Sequence, residues 1–192
     1  TPSHLSALHI GEPINKWSGQ PDTEGSLMLE ELVAVNYRSL KELIVELGPF
    51  NVLIGPNASG KSNIMDCLAF LAGLARREAP NSLLGARGGF DRVRFGGKAE
   101  KVKLKASVQM GGKTFIYTVE LHAEGWSEVL EAPSGRHEGA YGSLGYPGTC
   151  LSGEPELESY MASWAFYNFS TRAMRHVLQV KRSLTLAPDG SN

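Results

Sequence analysis

The sequence predicts an α/β fold in which a parallel sheet, left incomplete, is joined to an antiparallel β-lobe. Three observations carry this. Residues 50–54, Phe-Asn-Val-Leu-Ile, are a short apolar run of the kind buried in a parallel sheet, and they lead directly into a glycine-rich loop and a helical pattern. Two alternating runs flank Gly111 and Gly112 as the arms of a hairpin. Later in the chain, the strands that would finish a parallel sheet are missing. With 192 residues and 42% hydrophobic content, there is enough apolar material to build a core.

In chain order, residues 1–26 are rich in polar residues, Pro and Gly without a sustained period, and read as an irregular N-terminal tail. Residues 27–35 are apolar and β-compatible, Asn36-Tyr37-Arg38-Ser39 is a polar turn, and residues 43–47 resume as a strand until Gly48-Pro49 breaks it. After Lys61, the residues Ile64, Met65, Leu68, Leu71, Ala72 and Leu74 follow helical spacing as far as Arg76 and Arg77, two cations suited to the C-terminal end of a helix dipole. Residues 27–78 are thus the first structured unit. Residues 80–97 read as loop, punctuated by Gly88-Gly89 and Gly96-Gly97.

The hairpin follows. A two-residue turn at Gly111-Gly112 sets Val108 opposite Phe115, Ala106 opposite Tyr117, Leu104 opposite Val119 and Val102 opposite Leu121, with Lys103 facing Glu120 on the other side. Residues 132–153, rich in Gly, Ser, Pro and Tyr, read as a long loop. A short helix is expected over residues 154–163 and a strand over 164–169. Residues 79–160 are therefore a β-rich lobe, and residues 161–192 a return towards the first unit.

The formal net charge of −1 gives no overall bias towards nucleic acid, but charge is uneven along the chain. From residue 76 to 113 ten Lys/Arg face three acids, and from 120 to 160 eight Glu face Arg136 alone. Cys67 and Cys150 have no metal-ligand spacing and fit a reducing compartment, so a cytoplasmic location is expected. No run of apolar residues reaches membrane-spanning length, and none of the five histidines joins a spaced metal cluster. Trp126, Trp164 and the Phe/Tyr run at 166–169 are expected in the core.

The chemistry lies in Gly55-Pro56-Asn57-Ala58-Ser59-Gly60-Lys61-Ser62, a G-x4-G-K-[ST] loop between a strand pattern and a helix pattern. Gly55 and Gly60 let the backbone turn tightly, so that amides from Asn57 to Ser62 converge on phosphate oxygens at a helix N-terminus. Lys61 adds a point charge for the β- and γ-phosphates, and the Ser62 hydroxyl supplies a magnesium ligand. A nucleoside triphosphate, ATP foremost, with Mg2+ is the expected ligand. Hydrolysis also needs an acid at the end of a later apolar strand, and neither Asp22, Asp66, Asp91 nor Asp189 follows one. Either the catalytic half lies outside this chain, or the chain binds nucleotide without turnover.

Asn36-Tyr37-Arg38-Ser39-Leu40, with residues 50–66 ending Gly60-Lys61-Ser62-Asn63-Ile64-Met65-Asp66, resembles the start of the ABC-type ATPase heads of RecF, SMC-like and OLD-family proteins, and most of all their bacterial predicted AAA-family ATPases. The closing Asp189-Gly190-Ser191-Asn192 is similar to a mid-chain segment of those proteins. The resemblance implies the N-terminal half of a P-loop core of the ABC-ATPase-head type, with a mixed sheet and an inserted β-lobe. It implies two heads sandwiching nucleotide, so that ATP controls dimerisation, and work on DNA or on an effector protein. It also implies that the Walker B acid and signature motif come from a C-terminal half; Leu151-Ser152-Gly153-Glu154 only echoes that signature. By analogy Arg38, Ser39 and Asn63 join the nucleotide site, although Arg38 and Ser39 also read as a plain surface turn. The Lys101/Lys103/Lys105 stripe reads either as a nucleic-acid contact or as a solvated, edge-protecting strand face.

Two other classes stay open. A small-molecule kinase would use Arg172, Arg175 and Arg182 as a lid, and a nucleotide-binding interaction module would use ATP to order an interface. The order of motifs argues against a GTPase.

Overall fold

The computed structural model describes residues 27–141 and 148–167. Their frame is one antiparallel sheet of six strands in the order β2-β1-β3-β4-β5-β6. These are β1 (Leu27–Tyr37), β2 (Leu40–Glu46), β3 (Lys101–Met110), β4 (Lys113–His122), β5 (Gly125–Ala132) and β6 (Gly135–Tyr141). Helix α1 (Lys61–Ala75) packs on one face of the sheet, and α4 (Pro155–Ala162) packs on α1; two short helices, α2 (Pro80–Gly85) and α3 (Phe90–Val93), lead from α1 to β3.

The β3–β4 hairpin has the register that its sequence predicts: Val108 pairs with Phe115, Ala106 with Tyr117, Leu104 with Val119, Val102 with Leu121 and Lys103 with Glu120. Gly111 and Gly112 take φ of 57° and 73°, the left-handed pair that a tight two-residue hairpin turn requires. The apolar partners are buried and form the centre of the core, together with Leu32, Ala34, Trp126 and Leu130 of the flanking strands. Burying each large aliphatic or aromatic side chain here contributes roughly 1.5–3 kcal/mol. Phe70 of α1 meets Tyr37 of β1 edge to face at 6.5 Å and closes the helix onto the sheet.

Five expectations need correction. Residues 50–54 are not a strand: residues 51–56 belong to no regular element, and Phe50, Val52 and Ile54 are exposed. A parallel strand is held by neighbours on both sides, and the described residues contain no parallel pair. Residues 80–97 are not simply loop, because Pro80 starts α2 at a position where its missing N–H costs nothing, and Leu83 and Leu84 are buried. Residues 132–153 are not one long loop, because β6 pairs with β5 from Ala132↔Gly135 to Trp126↔Tyr141. Residues 164–167 are irregular rather than a strand, and Tyr167 is exposed rather than in the core. The rest of that expected strand, the arginines at 172, 175 and 182, the N-terminal tail and the closing Asp189-Gly190-Ser191-Asn192 lie outside the described residues.

Candidate nucleotide site

The glycine-rich loop joins the irregular segment 51–56 to the first turn of α1. Gly60 caps the helix with φ 96° and ψ 1°, and its carbonyl accepts from the amides of Asn63 at 2.9 Å and Ile64 at 3.1 Å. A β-carbon on Gly60 would lie 3.0 Å from Leu40 Cδ2 and 3.2 Å from Ser39 Oγ, so both the conformation and the space call for glycine. Ala58 also adopts a left-handed φ, 62°. No side chain caps the helix, so its first-turn amides face the loop without a side-chain acceptor, the geometry that accepts phosphate oxygens.

Lys61 Nζ donates to the carbonyls of Gly55 at 2.8 Å and Pro56 at 2.6 Å, and to Ser59 Oγ at 3.2 Å. The ammonium thus sits inside the ring of the loop, where arriving phosphate oxygens would replace three neutral acceptors with charged ones. Asn57, Ala58 and Ser62 are exposed. The Ser62 hydroxyl is a hard oxygen donor with no hydrogen-bond partner among the described residues, which fits a magnesium ligand.

Ser39 and Asn63 meet directly: Asn63 Nδ2 donates to Ser39 Oγ at 2.7 Å, which ties the β1–β2 turn to the first turn of α1. Arg38, with φ 51°, turns towards Asp66 instead, its Nε 2.7 Å from Oδ2 in an ion pair whose alignment falls outside hydrogen-bond geometry. The structure therefore brings the turn residues beside the loop, with Arg38 committed to a carboxylate.

Sequence reasoning missed what surrounds Asp66. Arg87 Nε donates to its Oδ1 at 3.0 Å and Tyr37 donates to Oδ2 at 2.7 Å, while the Arg87 guanidinium lies over the Phe70 ring at 5.1 Å. Burial, followed by the Asp66 charge, pushes the Tyr37 phenol well above its usual range, so it stays a donor. Two guanidiniums and a phenol occupy this carboxylate, the acid nearest the loop in sequence, and leave it poorly placed to serve magnesium. The motif Lys61-x4-Asp66 carried no signal for this, since its partners lie 21 and 29 residues away.

The lysine stripe is partly neutralised. Lys105 Nζ is 2.7 Å from Glu31 on β1, and Lys101 and Lys103 each approach Glu120 at 3.9 Å. No group of three or more His, Cys, Asp or Glu among the described residues is arranged to hold a metal ion, and no described helix is long and apolar enough to cross a membrane.

Residues 50–139 match the family described as "AAA domain, putative AbiEii toxin, Type IV TA system". The DNA replication and repair protein RecF of Pediococcus pentosaceus is 32% identical over 100 residues, which is 52% of this chain and 24% of that protein. RecF of Lactobacillus acidophilus is 33% identical over 109 residues, 55% of this chain and 27% of that protein. The chromosome partition protein Smc of Methanocaldococcus jannaschii is 30% identical over 110 residues, 47% of this chain and 9% of that protein. The match thus spans about a quarter of the length of these RecF relatives. Together with a glycine loop that ends in a left-handed Gly60 at the head of α1, these matches support a P-loop ATPase of the RecF/SMC-like type, to part of which this chain is similar.

Proposed function

We propose that this chain binds Mg-ATP through Gly55, Asn57, Ala58, Ser59, Gly60, Lys61 and Ser62, with Asn63, Arg38 and Ser39 alongside, as the N-terminal portion of an ABC-type ATPase head. The observation that carries this reading is the Lys61 ammonium bonded inside its own loop at the head of an uncapped helix. Backbone amides and Lys61 hold the phosphates, and Ser62 contributes one oxygen to magnesium, which supplies charge neutralisation when bound.

Turnover belongs to the head completed by a C-terminal half that brings the Walker B acid. The exposed Phe50, Val52 and Ile54 support this, because a segment of that composition beside a P-loop is stable only when covered. In this reading ATP drives head-to-head dimerisation and DNA-directed work, the latter in keeping with the DNA repair and chromosome partition roles for which the RecF and Smc relatives are named, and the two free thiols fit a cytoplasmic setting.

The test is calorimetric Mg-ATP binding and phosphate release by the chain and by its Lys61→Ala variant. Binding that the variant loses, without phosphate release, is the expected result. Release by the isolated chain would overturn the assignment of turnover to a missing half. Absence of Mg-ATP binding to the intact chain would overturn the whole reading.

A further inference from the structure

We propose that a cleft beside the first turn of α1, on the side of Arg92 and Arg94, is a second phosphate-binding site separate from the glycine loop. The cleft has a volume of about 490 Å3 and is lined by Arg38, Asn63, Arg92 and Arg94, with Asp91 at its rim and Gly96-Gly97 forming one wall. Its chemistry is that of an anion site, and three features carry the assignment.

The first is an excess of fixed positive charge. Arg38 and Arg87 share the single carboxylate of Asp66, and beside Arg92 and Arg94 the one nearby carboxylate, Asp91, is taken by Arg94, its Oδ1 2.6 Å from Arg94 Nη2. Each group keeps one guanidinium in surplus, and Arg92, which is exposed, forms no ion pair among the described residues. The second is an unsatisfied donor: Arg94 Nε is shut off from solvent without a hydrogen-bond partner. A guanidinium donor left unpaired is costly, and it marks Arg94 as a side chain whose hydrogen bonding Asp91 alone does not complete. The third is what the cleft lacks. Phe90 lies under the Arg94 guanidinium at 5.5 Å, and no aromatic ring lines the space, so it offers forked N–H donors rather than a surface for a base. A β-carbon at Gly96 would meet nothing within 4 Å, which leaves that wall open to a phosphate on a larger molecule.

The phosphate is carried either by a nucleic-acid strand or by a small phosphorylated molecule; both present the same tetrahedral oxygens. The experiment uses the full chain carrying Lys61→Ala, so that the glycine loop does not compete, with a labelled oligothymidylate of about 20 nucleotides and inorganic pyrophosphate as the two probes. Adding Arg92→Glu should weaken at least one probe by about tenfold, and Arg92→Lys should restore most of that loss for the oligonucleotide, where charge dominates. Loss for the oligonucleotide alone assigns the site to a nucleic-acid backbone, and loss for pyrophosphate as well assigns it to small phosphates. In the chain with Lys61 intact, Arg92→Glu should leave Mg-ATP affinity within about twofold, because Arg92, unlike Arg38 and Asn63, is not among the residues assigned to the nucleotide. Both probes unchanged by Arg92→Glu, in a variant whose thermal midpoint matches its parent, would sink the proposal. So would a tenfold fall in Mg-ATP affinity, which would make the cleft part of the nucleotide site.

Discussion

Arg77 grips Glu158 with a two-pronged pair, Nε to Oε1 at 2.8 Å and Nη2 to Oε2 at 3.1 Å, and so joins the end of α1 to α4. Its neighbour Arg76 donates to the carbonyls of Ala162 at 2.9 Å and Trp164 at 2.6 Å, capping the C-terminus of α4. The two cations that suit the end of the α1 dipole are thus also the clamp for the helix that follows the lobe. Arg77 is well exposed and Glu158 is not, so Glu158→Gln should cost about 1 kcal/mol, read as a lower thermal midpoint. Arg77 also ends α1 at φ 64°, where glycine is favoured. Arg77→Gly should therefore destabilise less than Arg77→Ala, by about 1 kcal/mol. Equal losses would argue that the backbone there is unstrained.

Glu128 is the buried acid that holds the lobe together. Its carboxylate accepts from Tyr117 Oη at 2.6 Å, Tyr141 Oη at 3.0 Å, Thr149 Oγ1 at 2.7 Å and the Cys150 amide at 2.7 Å. All four partners are donors, so an amide puts an N–H where an acceptor is required. Glu128→Gln should lower stability by about 2–4 kcal/mol, in a chemical-denaturant melt. Tyr141→Phe removes one of the four donors and should cost about 1 kcal/mol. A Glu128→Gln chain as stable as its parent would mean that this network contributes little.

That carboxylate also explains where the sequence was opaque. On β5, Trp126, Glu128 and Leu130 all point inward, and a glutamate in the buried row breaks the apolar alternation by which β3 and β4 are recognised. Its compensation comes from Tyr117, Tyr141, Thr149 and Cys150, contacts 11 to 22 residues distant that no local pattern encodes. Strand β6, Gly-Arg-His-Glu-Gly-Ala-Tyr, is a polar edge strand and carries no period-2 signal at all. The hairpin was legible because Gly111-Gly112 fixes the turn and the alternation then fixes every pair. The loop from Gly55 to Ser62 was legible because its spacing is set by phosphate chemistry, whereas the conformation of residues 50–54 depends on neighbouring strands that the local sequence does not supply.

Alkaline pH should weaken the fold. Burial pushes the Tyr37 and Tyr117 phenols and the Cys67 and Cys150 thiols upward, with Asp66 or Glu128 adding to the shift in each case. The folded chain then keeps protons that the unfolded chain releases, so stability is intact below the unfolded values, about 8.5 for thiols and about 10 for phenols, and falls as pH rises beyond them. The thermal midpoint should be level between about pH 7 and 8 and decline above about 8.5, with the decline smaller in a Cys67→Ala chain. A level profile to about pH 10.5 would contradict these shifts. At pH near 8, Cys67, which has no exposed surface, should react with a thiol reagent far more slowly than a free cysteine.

The loop contains two left-handed residues of opposite tolerance. Gly60, at φ 96° with Leu40 and Ser39 pressed against the place of a β-carbon, has neither the conformation nor the room for a side chain. Gly60→Ala should cost about 1–2 kcal/mol in stability and displace the first turn of α1, with Mg-ATP affinity falling by at least about tenfold. Ala58, at φ 62°, is exposed and already carries a side chain in that conformation. Ala58→Gly relieves its strain while giving the unfolded chain more freedom, two effects of similar size and opposite sign, so stability should change by less than about 1 kcal/mol. Its nucleotide affinity should stay within about threefold of the parent, because the amides that meet the phosphates remain in place. Calorimetry on the two variants separates the roles: if Ala58→Gly loses binding as fully as Gly60→Ala, the loop depends on the stiffness of residue 58 rather than on the turn at Gly60.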